Sequence, residues 1–217
     1  MSLQKQFNEF HENIKISRED ESYKSAREKD DSITSDIKKT FTEAGWTIKS
    51  DFIQGSFATN TGIKSLDDDF DIDRALVIEE EDSEINPVIH KKKILETLEN
   101  RGFQNAKIKM PCVTADYSSL NLHIDYPLYR KLFLDDLELA VGKKSSGENS
   151  RYWDTSDPKG LIDWVNNSTN HINIFYSLTT QEREQFRRLV RFLKRWRDEN
   201  YKNSNLKKHI YSIGLTM

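Results

Sequence analysis

The sequence predicts an α/β or α+β fold, a mixed sheet packed on helices with a helical lobe after it. Three observations predict it. Apolar residues recur at helical spacing near the start and the end of the chain, they alternate or run together in the middle, and glycine or proline punctuates the changes of period. At 217 residues the chain has room for one good-sized domain or two small ones.

The first helical signal runs up to residue 44, where Ile33, Ile37, Phe41 and Ala44 share a face and Gly45 follows as a stop. "WTIKSDFI" then reads as a strand feeding the Gly55-Ser56 turn, and "FDIDRALVI", apolar on both faces at its far end, reads as a strand inside a sheet. Asn86-Pro87 opens a helix that closes at Gly102. "NAKIKM", "CVTADYS" and "LNLHIDYPLY" are further strands, the last alternating Leu120, Leu122 and Ile124 against Asn121, His123 and Asp125. Residues 142–158 have the composition of a loop, and Pro158 opens a short helix. From Gln181 to Glu199 an amphipathic helix is expected, with Phe186, Leu189, Val190, Leu193 and Trp196 on one face and Arg187, Arg188, Arg191 and Arg195 forming a mostly solvated basic exterior. The terminal "HIYSIGLTM" reads as the start of another apolar helix without a cap, so the helical lobe is expected to be incomplete at its C-terminus.

Composition narrows the function. Charged residues make up 32% of the chain, yet eleven Phe, eight Tyr and four Trp supply a core. A formal net charge of -3 gives no general attraction for nucleic acid, so no stable nucleic-acid partner is expected. The single Cys112 excludes an internal disulfide, the polar start has no signal-peptide pattern, and no apolar run reaches the ~20 residues that span a bilayer. A cytoplasmic protein without a membrane partner is expected.

The chemistry lies in "QGSFATNTGIKSLDDDFDIDRALVI". Residues two apart on a strand share a side, so Asp71 and Asp73 project together, while Asp67, Asp68 and Asp69 read as an exposed turn. Adjacent carboxylates repel unless they share cations, and hard Mg²⁺ is held by carboxylates together with substrate phosphates. Asp125 supplies a third carboxylate from a neighbouring strand, and three such groups can hold two metals that activate a hydroxyl and neutralise a leaving pyrophosphate. Glycine at 55 lets the backbone approach a phosphate, and the Ser56 hydroxyl can bind its oxygens. His123 and Cys112 read as packing or strand residues rather than ligands, the aromatics around Trp153 and Trp164 as core, and Tyr126 or a loop aromatic as able to stack on a base.

These residues, with "LHIDYPLY", "SDPKGLIDWV", "FRRLVRFLKRWRD" and "YSIGLTM" in order, resemble the polymerase-β-like nucleotidyltransferases, and within them the bacterial cGAS/DncV-like enzymes (CD-NTases) that make cyclic nucleotide signals in anti-phage defence. The resemblance implies that Asp71, Asp73 and Asp125 bind two Mg²⁺ (or Mn²⁺) ions and carry catalysis. It implies that Gln54, Gly55 and Ser56 contact the donor nucleotide, and that Lys194 and Ser212 hold its triphosphate. Residues 1–140 would form the catalytic core with its N-terminal helices, and residues 141–217 the helical lobe. The substrates would be NTPs, ATP among them, and a downstream effector would bind the product rather than the protein. Arg74 stands where family members often carry a small or acidic residue, and is expected to bear on the acceptor side. Two other readings stay open: a nucleotidyltransferase acting on RNA or protein, and a nucleotide-binding sensor without catalysis.

Overall fold

A computed structural model describes residues 2–66, 70–117, 121–167 and 179–201 of the chain. They form two compact units, one built from residues 1–20, 55–69 and 159–217 and the other from residues 21–54 and 70–158. The chain therefore passes between units several times and does not divide at residue 140. Strand 137–141 straddles that point and strand 152–156 lies beyond it, both hydrogen-bonded into the sheet, and a helix near the start belongs with the C-terminal helices.

The sheet unit holds helix α2 (Glu21–Glu43), strands β1 (Ile48–Gln54) and β2 (Phe70–Glu79), helix α4 (Val88–Asn100), and strands β3 (Lys107–Ile108), β4 (Val113–Tyr117), β5 (Leu122–Tyr126), β6 (Leu128–Lys131), β7 (Leu137–Val141) and β8 (Tyr152–Ser156). Gly45 ends α2 at φ 82° and Gly102 ends α4 at φ 90°, left-handed conformations that suit glycine at a helix terminus. Asn86 caps α4, its Oδ1 accepting the Val88 N–H at 3.1 Å.

β2 is the centre of the sheet. β1 pairs antiparallel along one edge, and β5 followed by β6 pairs parallel along the other. Phe70 pairs with Leu122 and Glu79 with Lys131, each 52 positions on, so β5 and β6 are one line of chain interrupted only at Pro127. The Pro127 carbonyl still accepts the Leu76 N–H at 3.0 Å, which keeps the ladder in phase across the proline. β3 and β4 extend the sheet from β5, while β7 and β8 extend it from β6.

β8 corrects the expectation of a loop over residues 142–158. Tyr152–Ser156 is mostly exposed and polar, so it lacks an alternating pattern, and pairing along the whole of β7 makes it a strand. One sheet face carries the fully buried Ile72, Leu76, Ile78, Ile124, Tyr126 and Leu128, with α2 and α4 packed against the sheet. Lys91 of α4 is also fully buried, and its ammonium donates to the carbonyls of Lys109, Met110 and Gly142 at 2.7–2.8 Å and of Ala140 at 3.3 Å.

The second unit contains α1 (Leu3–Ile14), the short α3 (Gly55–Ala58), α5 (Pro158–Asn167) and α6 (Thr180–Tyr201). Phe7 and Phe10 of α1 pack on Phe192 of α6, with ring centroids 5.7 and 5.4 Å apart. Trp164 meets Phe186 edge-on, but it is only half-buried, as is Trp153 of the sheet unit, so neither is the fully buried core residue expected from the sequence. The orientation of α6 differs from the expected one. Val190, Arg191, Lys194, Arg195 and Asp198 are buried, whereas Leu189 is 56% and Trp196 49% exposed. The basic side chains turn inward because the irregular segment 60–64 presents backbone carbonyls without helix or sheet partners. Arg191 donates to Asn60 O, Lys194 to Thr61 O and Oγ1 at 3.0 Å, and Arg195 to Lys64 O.

Candidate active site

The pleat of the sheet places the predicted carboxylates together. On the face away from α2 and α4, Gln54 of β1, Asp73 of β2 and Asp125 of β5 are successive register partners, and Asp71 stands in register with His123 one pleat away. Asp71 is exposed, and Asp73 and Asp125 are half-buried. Along the same face lies an apolar patch of Ala75, Val77, Tyr129 and Leu137, with Phe52 and Leu139 against it. The Tyr129 hydroxyl donates to Gln54 Oε1 at 3.0 Å and fixes that side chain beside Asp73.

Asp125 has two partners that the sequence pattern did not disclose. The Thr114 hydroxyl donates to its Oδ1, and the Lys109 ammonium lies 3.3 and 3.4 Å from its two oxygens. The backbone of Lys109 is in turn held by Lys91, so the charge beside Asp125 is anchored. His123, which sequence reasoning set aside, belongs to this face, with its Nδ1 3.6 Å from Asp116. Cys112 is buried, and burial pushes its thiol up to about 12, so it offers no thiolate to a metal.

An all-carboxylate donor set on adjacent strands fits a hard, oxygen-seeking cation such as Mg²⁺. The arrangement is not preformed. Among the described residues no three His, Cys, Asp or Glu groups converge into a metal cage, and Asp125 is engaged by Thr114 and Lys109.

Two expectations for neighbouring residues are corrected. Arg74 turns to the opposite face from Asp73, where it is buried against Asp30, Asp31 and Asp51, so it does not reach an acceptor on the carboxylate face. Tyr126 is fully buried, with its hydroxyl 3.4 Å from Asp30 Oδ1, and has no ring face to offer a base.

The remaining predicted residues belong to the other unit. Gly55, the first residue of α3, adopts φ 65°, a conformation glycine enters without steric penalty. Ser56 borders a cleft of about 250 Å³, where Lys15, Arg18, Arg187 and Arg191 outnumber Glu19 and Glu184. Lys194 faces Thr61, as described above. Ser212, like Asp67, Asp68 and Asp69, lies outside the described residues.

The fold, a mixed sheet carrying these carboxylates with flanking helices, is that of the DncV-type nucleotidyltransferases. The apo structure of Vibrio cholerae DncV is 26% identical, with a TM-score of 0.57 over 79% of this chain and 44% of that one. DncV cyclic AMP-GMP synthase bound to a linear intermediate gives a TM-score of 0.59 at 23% identity, over 79% of this chain and 46% of that one. The Bradyrhizobium diazoefficiens CD-NTase CdnG in complex with GTP gives 0.57 at 16% identity, over 74% of this chain and 45% of that one.

The sequence family described as the Second Messenger Oligonucleotide or Dinucleotide Synthetase domain (SMODS) matches residues 1–170, and the chain belongs to it. A cyclic GMP-AMP synthase of Escherichia albertii is 28% identical over 170 residues, which are 72% of this chain and 33% of that protein. The chain thus spans about a third of that relative's length and under half of the solved structures.

Proposed function

We propose that the protein is a cyclic di- or oligonucleotide synthase, which transfers a nucleotidyl group from one NTP to a hydroxyl of another, releases pyrophosphate and closes the linear product. The observation that carries this reading is the register of Asp73 with Asp125, with Asp71 on the same face, in a SMODS chain. DncV structures 26% identical to this chain hold 3′-deoxy ATP and 3′-deoxy GTP, which supports NTP substrates with ATP among them.

In this reading Asp71, Asp73 and Asp125 hold two Mg²⁺ ions. When bound, the ions lower the pKa of the attacking hydroxyl and neutralise the departing pyrophosphate. Thr114 and Lys109 hold the Asp125 carboxylate in orientation until it takes up that role. Gln54, Gly55 and Ser56 bind the donor phosphates, where glycine permits close approach of the backbone. Lys194 and Ser212 hold the triphosphate tail, which requires Lys194 to exchange a bond to Thr61 for one to a phosphate oxygen. The product serves as a signal in anti-phage defence and binds a separate effector. We place the protein in the cytoplasm; among the described residues no helix is long and apolar enough to cross a membrane.

One observation favours a second reading, a nucleotide-binding sensor without turnover: the Lys109 ammonium rests on Asp125, on the face where a cation is required. A single experiment separates the two. The full-length protein is incubated with labelled NTPs and Mg²⁺ or Mn²⁺, treated with phosphatase, and its resistant products are identified by mass spectrometry. Metal-dependent pyrophosphate and a phosphatase-resistant cyclic product are expected, and both should vanish in Asp71→Ala/Asp73→Ala. NTP binding without pyrophosphate release would establish the sensor.

A further inference from the structure

Asp30 of α2 lies directly behind the carboxylate face. Arg74 follows Asp73 on β2 and Tyr126 follows Asp125 on β5, so both side chains turn to the helix-covered side of the sheet. Both end on the fully buried Asp30 carboxylate. Its Oδ2 accepts Arg74 Nε at 2.9 Å and Nη2 at 2.7 Å, and its Oδ1 accepts the Tyr126 hydroxyl at 3.4 Å and the Thr34 hydroxyl at 3.3 Å. Arg27 adds a further bond at 2.8 Å.

The network reaches a third strand. Arg74 Nη1 donates to Asp51 of β1 at 2.7 Å, and Lys38 of α2 pairs with the same carboxylate. One helix is thereby tied to β1, β2 and β5, the strands that bring Gln54, Asp73 and Asp125 into register.

Holding charges in a sheet interior is a poor route to stability alone, because apolar residues of similar volume do as well or better. Hydrogen bonds to charged groups differ from apolar packing in having fixed lengths and directions. Apolar contacts let neighbouring strands slide or tilt slightly, whereas a carboxylate shared between Arg74 and Tyr126 does not.

We propose that Asp30 is a positioning residue: it sets the separation and pitch of β2 and β5, and through them the spacing of the Asp73 and Asp125 carboxylates. The proposal rests on reading those carboxylates as the metal-binding set. It concerns their geometry, so metal affinity reports on it without turnover.

The test is Mn²⁺ binding to the full-length protein, followed by electron paramagnetic resonance of the free ion, with steady-state synthesis measured alongside. Asp30→Asn is expected to weaken Mn²⁺ binding about tenfold, the scale on which residues orienting metal ligands act. It should lower kcat more than it changes KM for the NTP. Tyr126→Phe, which keeps the ring and removes one hydroxyl, is expected to act in the same direction by about threefold, as for the loss of one long hydrogen bond. Wild-type Mn²⁺ affinity in both variants overturns the proposal. If Asp30→Asn does not fold, Tyr126→Phe decides alone. If the wild-type protein binds no Mn²⁺, the metal reading of Asp71, Asp73 and Asp125 fails and the proposal with it; binding that is lost in Asp73→Asn but unaltered in every folded variant of Asp30→Asn and Tyr126→Phe removes the proposal only.

Discussion

Asp73 and Asp125 are direct partners across a parallel pair of strands, two carboxylates side by side on one sheet face. Like charges so placed destabilise a sheet. Neutralising either one is therefore expected to leave the thermal midpoint unchanged or raised, while removing product formation. Loss of metal binding worth about 4 kcal/mol in the transition state corresponds to about a thousandfold in rate. Asp73→Asn and Asp125→Asn, followed by pyrophosphate release and by thermal melting, check both halves. A fall in both stability and rate would point to a structural role.

Lys109 holds a charge against Asp125 that a cation must displace. The pair is partly exposed, with side-chain exposures of 42% and 31%, so its strength should be that of a surface ion pair, about 0.2–1 kcal/mol. Lys109→Ala should lower the half-saturating Mg²⁺ concentration by up to about fivefold, as expected from that energy. A Mg²⁺ titration of initial rates measures it, and an increase would show that Lys109 assists the site rather than competing in it.

His90 should make stability pH-dependent. The ring is fully buried, and its Nε2 accepts the Glu84 N–H at 2.9 Å, a bond that requires that nitrogen to be unprotonated. Burial, with only a small opposing pull from Asp82, lowers its pKa from 6.5 to about 4. The unfolded chain therefore takes up the proton first. The stability from neutral His90 is complete above about pH 6.5 and is lost as pH falls towards 4, by about 3 kcal/mol at the limit. Urea midpoints across this range should slope downward with acid in the wild type, and less so in His90→Gln. Parallel slopes would remove His90 as the cause.

Lys91 shares its three N–H donors among four surrounding carbonyls, the Ala140 contact being the longest. Lys91→Met keeps the volume and strips those acceptors of their partner, at an expected destabilisation of about 3 kcal/mol. Chemical denaturation measures the loss. A change below about 1 kcal/mol would mean that the carbonyls find other donors.

Much of the architecture was legible because local chemistry marks it. Gly45 and Gly102 end helices that alternation and periodicity had begun, and the period of two placed Asp71, Asp73 and Asp125 on one side of their strands. Residues whose roles depend on distant partners were not legible. Tyr152–Ser156 becomes a strand only by pairing with β7. The arginines of α6 look like a solvated face, and turn inward because carbonyls more than a hundred residues earlier need donors. Asp30, one of several acids in a charged helix, acquires its meaning from Arg74 and Tyr126.

The unbroken 52-residue phase between β2 and the β5–β6 line constrains change in this chain. A residue inserted or deleted within either line inverts every side chain beyond it. A deletion at Ile124 would put Tyr126 opposite Asp73 and turn its ring outward, exchanging a buried anchor for the carboxylate in one step. Length can vary in the connections on either side, but along these two segments the protein keeps count, and the proline between them interrupts the hydrogen bonds without interrupting the count.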